Sequence, residues 1–283
     1  MNETKLEPKR QRSLWKPFSL FAISIYLGAL AVLMFFERSL LFPAPPAEAG
    51  EWDATKFDAE EFFVDSDGTT RVHVWLLAKP GCQTTLIFAH GNGETLGFMG
   101  EELVEIRERW KVNVVAFDFR GYGKTGGLAS ENAILVDSLA VAKWVESNPR
   151  FADQKRVAMG RSLGGAAAIE IATKTKVDGM ILDRTFSSIV DIAADRYPIF
   201  PIRWVMRNQF RSIEKLPGYT GPLLQMHGDV DELIPYRFGK KLFDACISER
   251  KHLLSVQGLY HNDPWPEEFW DAGKKFISDI ETK

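Results

Sequence analysis

From Glu60 onward the sequence predicts an α/β fold with a mainly parallel, eight-stranded sheet and helices on both faces. Two observations predict it. Short apolar strands alternate with stretches of helical periodicity through most of the chain, the pattern of strands joined by crossover helices. The chain is also long enough, at 283 residues with 45% hydrophobic content, to bury a substantial core in one large domain or two small ones. A third observation sets the N-terminus apart. "FSLFAISIYLGALAVLMFF", residues 18–36, carries no charge and no alternation at all.

That first block is as long as the roughly 20 residues a bilayer-spanning helix needs, and longer than a secretory signal core of about 7–15. Lys5, Lys9, Arg10, Arg12 and Lys16 precede it, whereas Arg38 is the one basic residue that follows before Glu48, Glu51 and Asp53. An Ala-x-Ala at 47–49 lies well past Phe36, beyond two charges and three prolines. The reading is an uncleaved transmembrane helix over 18–36 behind a basic cytoplasmic segment, 1–17. By the positive-inside rule the larger C-terminal part then lies across the membrane, in periplasm, lumen or extracellular space. "LLFPAPPAEAGEW" has the composition of a short stiff linker, placed at 37–55.

The remaining domain, 56–283, follows strand by strand. "EEFFV" and "RVHVWLLA" around the turn "DSDGTT" read as an antiparallel hairpin that makes one end of the sheet mixed. "TTLIFAH" leads into "HGNGE", and the helical "EELVEIRERW" precedes the strand "VNVVAFD". Ile134, Leu135, Ala140, Val141, Trp144 and Val145 mark a helix between residues 131 and 146. "RVAMG", "GMILD", "PLLQMH" and "KHLLSVQ" complete the strands, and a helix near 269–280 closes the chain. There is no internal repeat, no low-complexity tract, and no GxGxxG after the first strand, which disfavours a dinucleotide fold.

Composition excludes several functions. A net charge of −3 with no long basic block outside the N-terminus argues against nucleic acid as the main partner. Cys82 and Cys246 form neither CxxC nor metal-ligand spacing, so they read as two free thiols rather than a disulfide framework or a zinc site. No metal or cofactor is implied.

Gly160-Arg161-Ser162-Leu163-Gly164 is a G-x-S-x-G pentapeptide between the strand "RVAM" and the small-residue helix "GAAAIEIAT". In that setting the serine stands on a sharp turn at the C-terminal edge of the sheet, where open α/β sheets place their ligands. A serine hydroxyl needs a base and the base an orienting carboxylate. His261, in the loop "QGLYHNDPW" after the last strand, fits the base better than His252, which begins that strand. The acid is expected after "PLLQMH", where Asp231 is preferred, with Asp229 in reserve and Asp183 further behind. Asp229 would equally shape its turn through an Asx-type bond. Asp118 ends the strand "VNVVAFD", and "DFRGYG" reads as a turn-stabilising carboxylate and arginine. An oxyanion needs two backbone N–H donors, expected from Leu163 and Asn92. His90 is read as structural, and the elbow gives Arg161 no task.

The set "AHGNGE", "FDFRGYGKTGG", "GRSLGG", "HGDVDELIP" and "YHNDPW" resembles the α/β-hydrolase superfamily, and within it the membrane-anchored Bem-type and abhydrolase-domain proteins. The resemblance runs through nearly the whole chain from the anchor onward. It implies the α/β-hydrolase fold, Ser162, Asp231 and His261 as a triad, and Leu163 and Asn92 as oxyanion donors. The family's loop often continues HGNAGN, where this chain has HGNGET.

In this fold a segment between the sixth and seventh strands covers the site as a lid, here about 186–217. Its "YPIFPIRWVMRNQF" mixes apolar residues with Arg196, Arg203, Arg207 and Arg211. It reads either as a lid packed on the core or as an acyl-chain wall with arginines toward anionic headgroups. The expected activity is hydrolysis of carboxylic esters or thioesters of acyl chains, with lipid among the candidate substrates. The alternatives are a serine peptidase or amidase, and a catalytically silent, membrane-tethered binding protein on the same scaffold.

Overall fold

The structure, a computed structural model, describes residues 15–282. The chain divides into two compact units, Met1–Glu37 and Arg38–Lys283. Helix α1 (Trp15–Leu41) makes up the described part of the first and enters the second. Its stretch Ser19–Leu41, 23 residues, is long and apolar enough to cross a membrane. Leu20, Phe21 and Phe35 are exposed on it. The Ser24 hydroxyl donates to the Leu20 carbonyl at 2.9 Å, so this polar group is satisfied within the helix. The basic residues Lys5, Lys9, Arg10 and Arg12 lie outside the described residues. Glu37 and Arg38 favour helix, so the helix runs on past Phe36 until Pro43 removes a donor.

The second unit is built on eight strands: β1 (Glu60–Asp65), β2 (Arg71–Leu77), β3 (Thr84–Ala89), β4 (Asn113–Phe117), β5 (Lys155–Arg161), β6 (Gly179–Asp183), β7 (Leu223–Gly228) and β8 (Lys251–Val256). They lie in the order β1-β2-β4-β3-β5-β6-β7-β8. β2 is antiparallel to both β1 and β4, and every other pairing is parallel. The sheet is therefore mixed, and one strand alone, β2, runs against the rest.

Alternate side chains along each strand serve opposite faces. Phe88 and Met159 point toward α2 (Leu96–Trp110) and α9 (Glu267–Glu281), packing with Leu103, Ile106, Phe269 and Ile277. Ile87, Ala158 and Leu182 face the other way, into a core with α3 (Glu131–Ser147), α4 (Gly164–Lys174) and α8 (Tyr236–Ala245). The lid segment holds three short helices, α5 (Ile189–Arg196), α6 (Ile202–Val205) and α7 (Ser212–Lys215).

The order in which strands are added across the sheet reverses after β3 and β4. The connection after β3 passes through α2 on one face toward β4, while that after β5 passes through α4 on the other face toward β6. The two loops leave the C-terminal edge toward opposite faces, at the switch point of an open α/β sheet.

The stretch expected as a linker over 37–55 is helical to Leu41 and folded thereafter. Phe42 is buried and meets Phe210 edge-on at 6.2 Å. Trp52 lies so close over Gly97 that a Cβ there would meet its ring at 2.8 Å. Residues Ala54–Phe57 form a 3₁₀ turn capped by Asp53. Proline-rich composition fixes only an extended backbone; the large rings at Phe42, Trp52 and Phe57 require cover and draw the segment onto the domain.

Candidate active site

β5 ends at Arg161, and Ser162 follows with φ +50°, a left-handed conformation rare outside glycine. The turn holds because Gly160 and Gly164, two positions to either side, have no side chains. A Cβ on Gly160 would lie 2.1 Å from the Gly164 carbonyl oxygen, and one on Gly164 2.1 Å from that of Ala89. Ser162 N–H donates to the Asp183 carbonyl at 2.9 Å, and its own carbonyl accepts the Thr185 hydroxyl at 2.7 Å. The strained residue is thus pinned on both sides, with its hydroxyl beside the start of α4.

His261 arrives from the loop after β8. Its Nε2 lies 3.0 Å from Ser162 Oγ, and its Nδ1 lies 2.8 Å from Asp231 Oδ2. All three residues are buried. Asp231 Oδ1 accepts the N–H groups of Leu233 at 3.0 Å and Ile234 at 2.7 Å, which fixes the carboxylate. A carboxylate against Nδ1 keeps the proton on that nitrogen and leaves Nε2 as acceptor for the serine hydroxyl.

The reserve residues have other tasks. Asp229 accepts the Gly258 N–H at 2.7 Å and joins the β7 and β8 loops. His252 is exposed on β8. Asp118 does not pair with the arginine of its own turn. It bonds His73 Nδ1 at 2.8 Å and accepts the Leu96 N–H at 2.9 Å, holding the start of α2. Arg120 goes instead to Asp137 and Asp67. The His90 ring is buried, donates from Nδ1 to the Gly91 carbonyl at 2.7 Å, and packs 4.2 Å from the Phe119 ring. His227, also buried, places Nε2 at 2.8 Å from the Ile234 carbonyl and 3.4 Å from Asp231 Oδ2. Burial pushes its imidazole below the ordinary value, against the opposing pull of Ile234 and Asp231.

Leu163 caps the start of α4, and Asn92 lies in the loop after β3. A Cβ on Gly164 would also lie 2.5 Å from the His90 carbonyl, so the start of α4 sits directly against the end of β3 and its loop. Within that loop the Gly91 N–H is taken by Glu94 Oε2 at 2.6 Å. No acceptor for the N–H of Asn92 or of Leu163 occurs among the described residues.

Arg161, without a task in the sequence, is the hub of a charge network. Its guanidinium reaches Glu94 at 2.9 Å, the Glu102 carboxylate, and Asp183 Oδ2 at 3.3 Å, and lies 5.0 Å over the Trp265 ring. Asp183 also accepts from Arg184 Nε at 2.7 Å and Trp265 Nε1 at 2.7 Å. Burial alone would raise the Asp183 carboxyl, but Arg184, Arg161 and Trp265 outweigh it and hold it below its ordinary range. Arg184 (φ +44°) donates to the Asp263 carbonyl at 2.6 Å, two residues past His261. One ionic cluster therefore ties the elbow, the β3 loop and the histidine loop together. Sequence reasoning missed Glu94, Arg184 and Trp265. A signal was present for Glu94: it is one of three residues, with Gly93 and Thr95, that depart from the family loop, and it partners the arginine that lacked a role.

In the lid, Phe210, Met206 and Ile202 are buried, whereas Trp204 (89% exposed), Ile199 and Tyr197 point outward. Arg203 pairs with Asp191, and Arg211 with Gln209 and Glu214. Both arginines are engaged inside the lid rather than standing free for headgroups.

An eight-stranded sheet with a reversed second strand, and a strand–turn–helix elbow at its switch point, defines an α/β hydrolase. Comparison with known proteins agrees. A family model described as serine aminopeptidase, S33, matches residues 81–209. An uncharacterised protein of Mycobacterium tuberculosis (strain CDC 1551 / Oshkosh) is 32% identical over 259 residues, 90% of each chain. Protein bem46 of Schizosaccharomyces pombe is 28% identical over 263 residues, 86% of this chain and 85% of that one. Among solved structures, the esterase Pf2001 of Pyrococcus furiosus superposes with a TM-score of 0.69 at 19% identity, covering 83% of this chain and 98% of its own. The chain belongs to the α/β-hydrolase superfamily, in its Bem-type branch.

Proposed function

We propose that this protein is a membrane-anchored serine hydrolase that cleaves carboxylic esters or thioesters of acyl chains through an acyl-enzyme. The observation that carries the reading is the hydrogen-bonded chain Ser162 Oγ–His261 Nε2–Asp231, at 3.0 and 2.8 Å, with the serine in the elbow conformation. Ser162 Oγ attacks the acyl carbonyl while His261 takes its proton, and Asp231 stabilises the imidazolium that results. The oxyanion is received by the N–H groups of Leu163 and Asn92, the former at the positive end of α4. His261 then returns the proton to the departing alkoxide or thiolate. Water, activated by the same imidazole, releases the acid.

An ester substrate is supported by the name of the Pyrococcus esterase, and the anchor by the apolar stretch Ser19–Leu41. The anchor is read with its N-terminus cytoplasmic and the catalytic unit on the far side. A peptidase or amidase reading is favoured by the family model's description. The test uses the full chain in detergent, with a p-nitrophenyl ester series of increasing chain length, short amides and a fluorophosphonate probe. Turnover of esters with labelling at Ser162, lost in Ser162→Ala, is expected. Turnover of amides alone would transfer the reading to a peptidase. No turnover and no labelling would leave a binding protein and overturn the hydrolase assignment.

A further inference from the structure

Asn92 makes its two side-chain hydrogen bonds in opposite directions. Its Nδ2 donates to the Leu41 carbonyl at 2.7 Å, and its Oδ1 accepts the Tyr122 hydroxyl at 2.5 Å. Leu41 is the last residue of α1, so its carbonyl is one of the acceptors a helix end leaves without an intrahelical donor. The contact is not isolated. The Pro43 carbonyl lies 3.9 Å from where a Cβ of Gly93 would stand, and Glu51 N–H donates to the Gly97 carbonyl at 2.6 Å. Trp52 covers Gly97 at the start of α2. The segment from Leu41 to Trp52 therefore runs along the whole loop between β3 and α2, the loop that carries the Asn92 N–H. Phe42, buried against Phe210, fixes the far side of the same peptide in the lid.

We infer that the end of the apolar helix is a working part of the site: the Leu41 carbonyl, through the Asn92 carboxamide, positions the Asn92 N–H for the oxyanion. This rests on the serine-hydrolase reading above. An oxyanion donor acts only when its N–H is aimed before charge develops, so what fixes its peptide governs kcat rather than substrate affinity. Glu94 holds the loop on the Gly91 side through that residue's N–H. The Gly93 side has a glycine at φ +78° and no comparable side-chain clamp of its own; the Leu41–Asn92–Tyr122 bridge supplies it. Asn92 is thus expected to contribute twice, with its backbone to the oxyanion and with its side chain to its own placement. Phe42 and Tyr122 act through Asn92, as positioning residues.

The test is a double-mutant cycle on the full-length chain in detergent, reading kcat and KM on a p-nitrophenyl ester together with thermal melting. Asn92→Ala keeps the backbone N–H and removes both bridging bonds. Phe42→Ala loosens the Leu41 peptide without touching Asn92. Each is expected to lower kcat by about tenfold with KM within about twofold, less than the loss of an oxyanion donor itself. The two effects should not multiply: Phe42→Ala should have little further effect on kcat when Asn92 is already alanine. Tyr122→Phe, which keeps the ring packed, gives a second route to the same result should Phe42→Ala fail to melt cooperatively. Wild-type kcat in folded Asn92→Ala, or fully multiplicative effects in the cycle, overturns the inference while leaving the hydrolase reading intact. An inactive wild-type chain unlabelled at Ser162 fails the hydrolase reading itself, and the inference falls with it.

Discussion

At the scale of single residues, position in the chain says little until the fold supplies neighbours. Ser162→Ala and His261→Ala are each expected to lower kcat by about 10⁴–10⁶ while melting stays near wild type, measured on purified full-length protein. Asp231→Asn should cost on the order of 10⁴ by disturbing the imidazole tautomer, whereas Asp229→Asn should keep most turnover. The reverse ranking would reassign the acid. Serine, histidine and their order were legible in sequence because each lies beside a strand end with few rivals. Asp229 and Asp231, two residues apart, were distinguished there only by preference and resemblance; the bond from Asp229 to Gly258 gives the first of them a separate task. Arg161 was illegible because its partners, Glu94, Glu102 and Asp183, come from three other segments. Arg161→Lys keeps a charge but loses the planar fork that spans them. It is expected to cost about 2–3 kcal/mol by chemical denaturation, since partly buried carboxylates are left without a full partner. Turnover should fall as well, because both the β3 loop and the Trp265 side of the histidine loop depend on it.

At the scale of elements, alternation of strand and helix was enough to place the strands, and small residues enough to place the elbow. Gly160→Ala and Gly164→Ala would each put a methyl about 2 Å from backbone oxygen, which has no rotamer to escape through. The predicted result is a loss of stability of about 1–3 kcal/mol or more in denaturant titration, with activity falling alongside it. Two features were not legible. The opening hairpin announced a mixed sheet, but that β2 is antiparallel on both sides depends on which strand comes to lie beside it, and local sequence does not encode that. The linker composition of 37–55 concealed packed structure because extended, proline-rich backbone serves equally for a spacer and for a strap. What distinguishes them is the cover over Phe42 and Trp52.

At the scale of the whole molecule, the buried ionisable groups set an acid limit. His227 has its imidazole pushed below the ordinary 6.5, so the unfolded chain binds the extra proton more readily. Its contribution to stability is complete above that unfolded value and is lost as pH falls through the lower folded value. Asp183 and Glu94 are carboxylates held below their ordinary values. The burial that would raise each is overcome, by Arg184 and Arg161 at Asp183 and by Arg161 at Glu94. Their contributions act in the same direction further into acid, present above the usual carboxylate range and lost beneath it. The melting temperature should therefore fall as pH drops from 7 toward 5, then more steeply below 4. His227→Gln should flatten the first part of that curve and leave the second. A melting temperature that stays level from pH 7 to 5 in the wild type would remove His227 from this account.

The hydrogen bond between Ser162 and His261 joins residues 99 positions apart, and α9 beyond them closes one face of the core. Translation runs from the other end. The serine is made before the lid segment, and His261 only after β8, just ahead of α9. On the hydrolase reading, a chain stopped before His261 carries the apolar helix and the nucleophile but no base. It is silent wherever it is held.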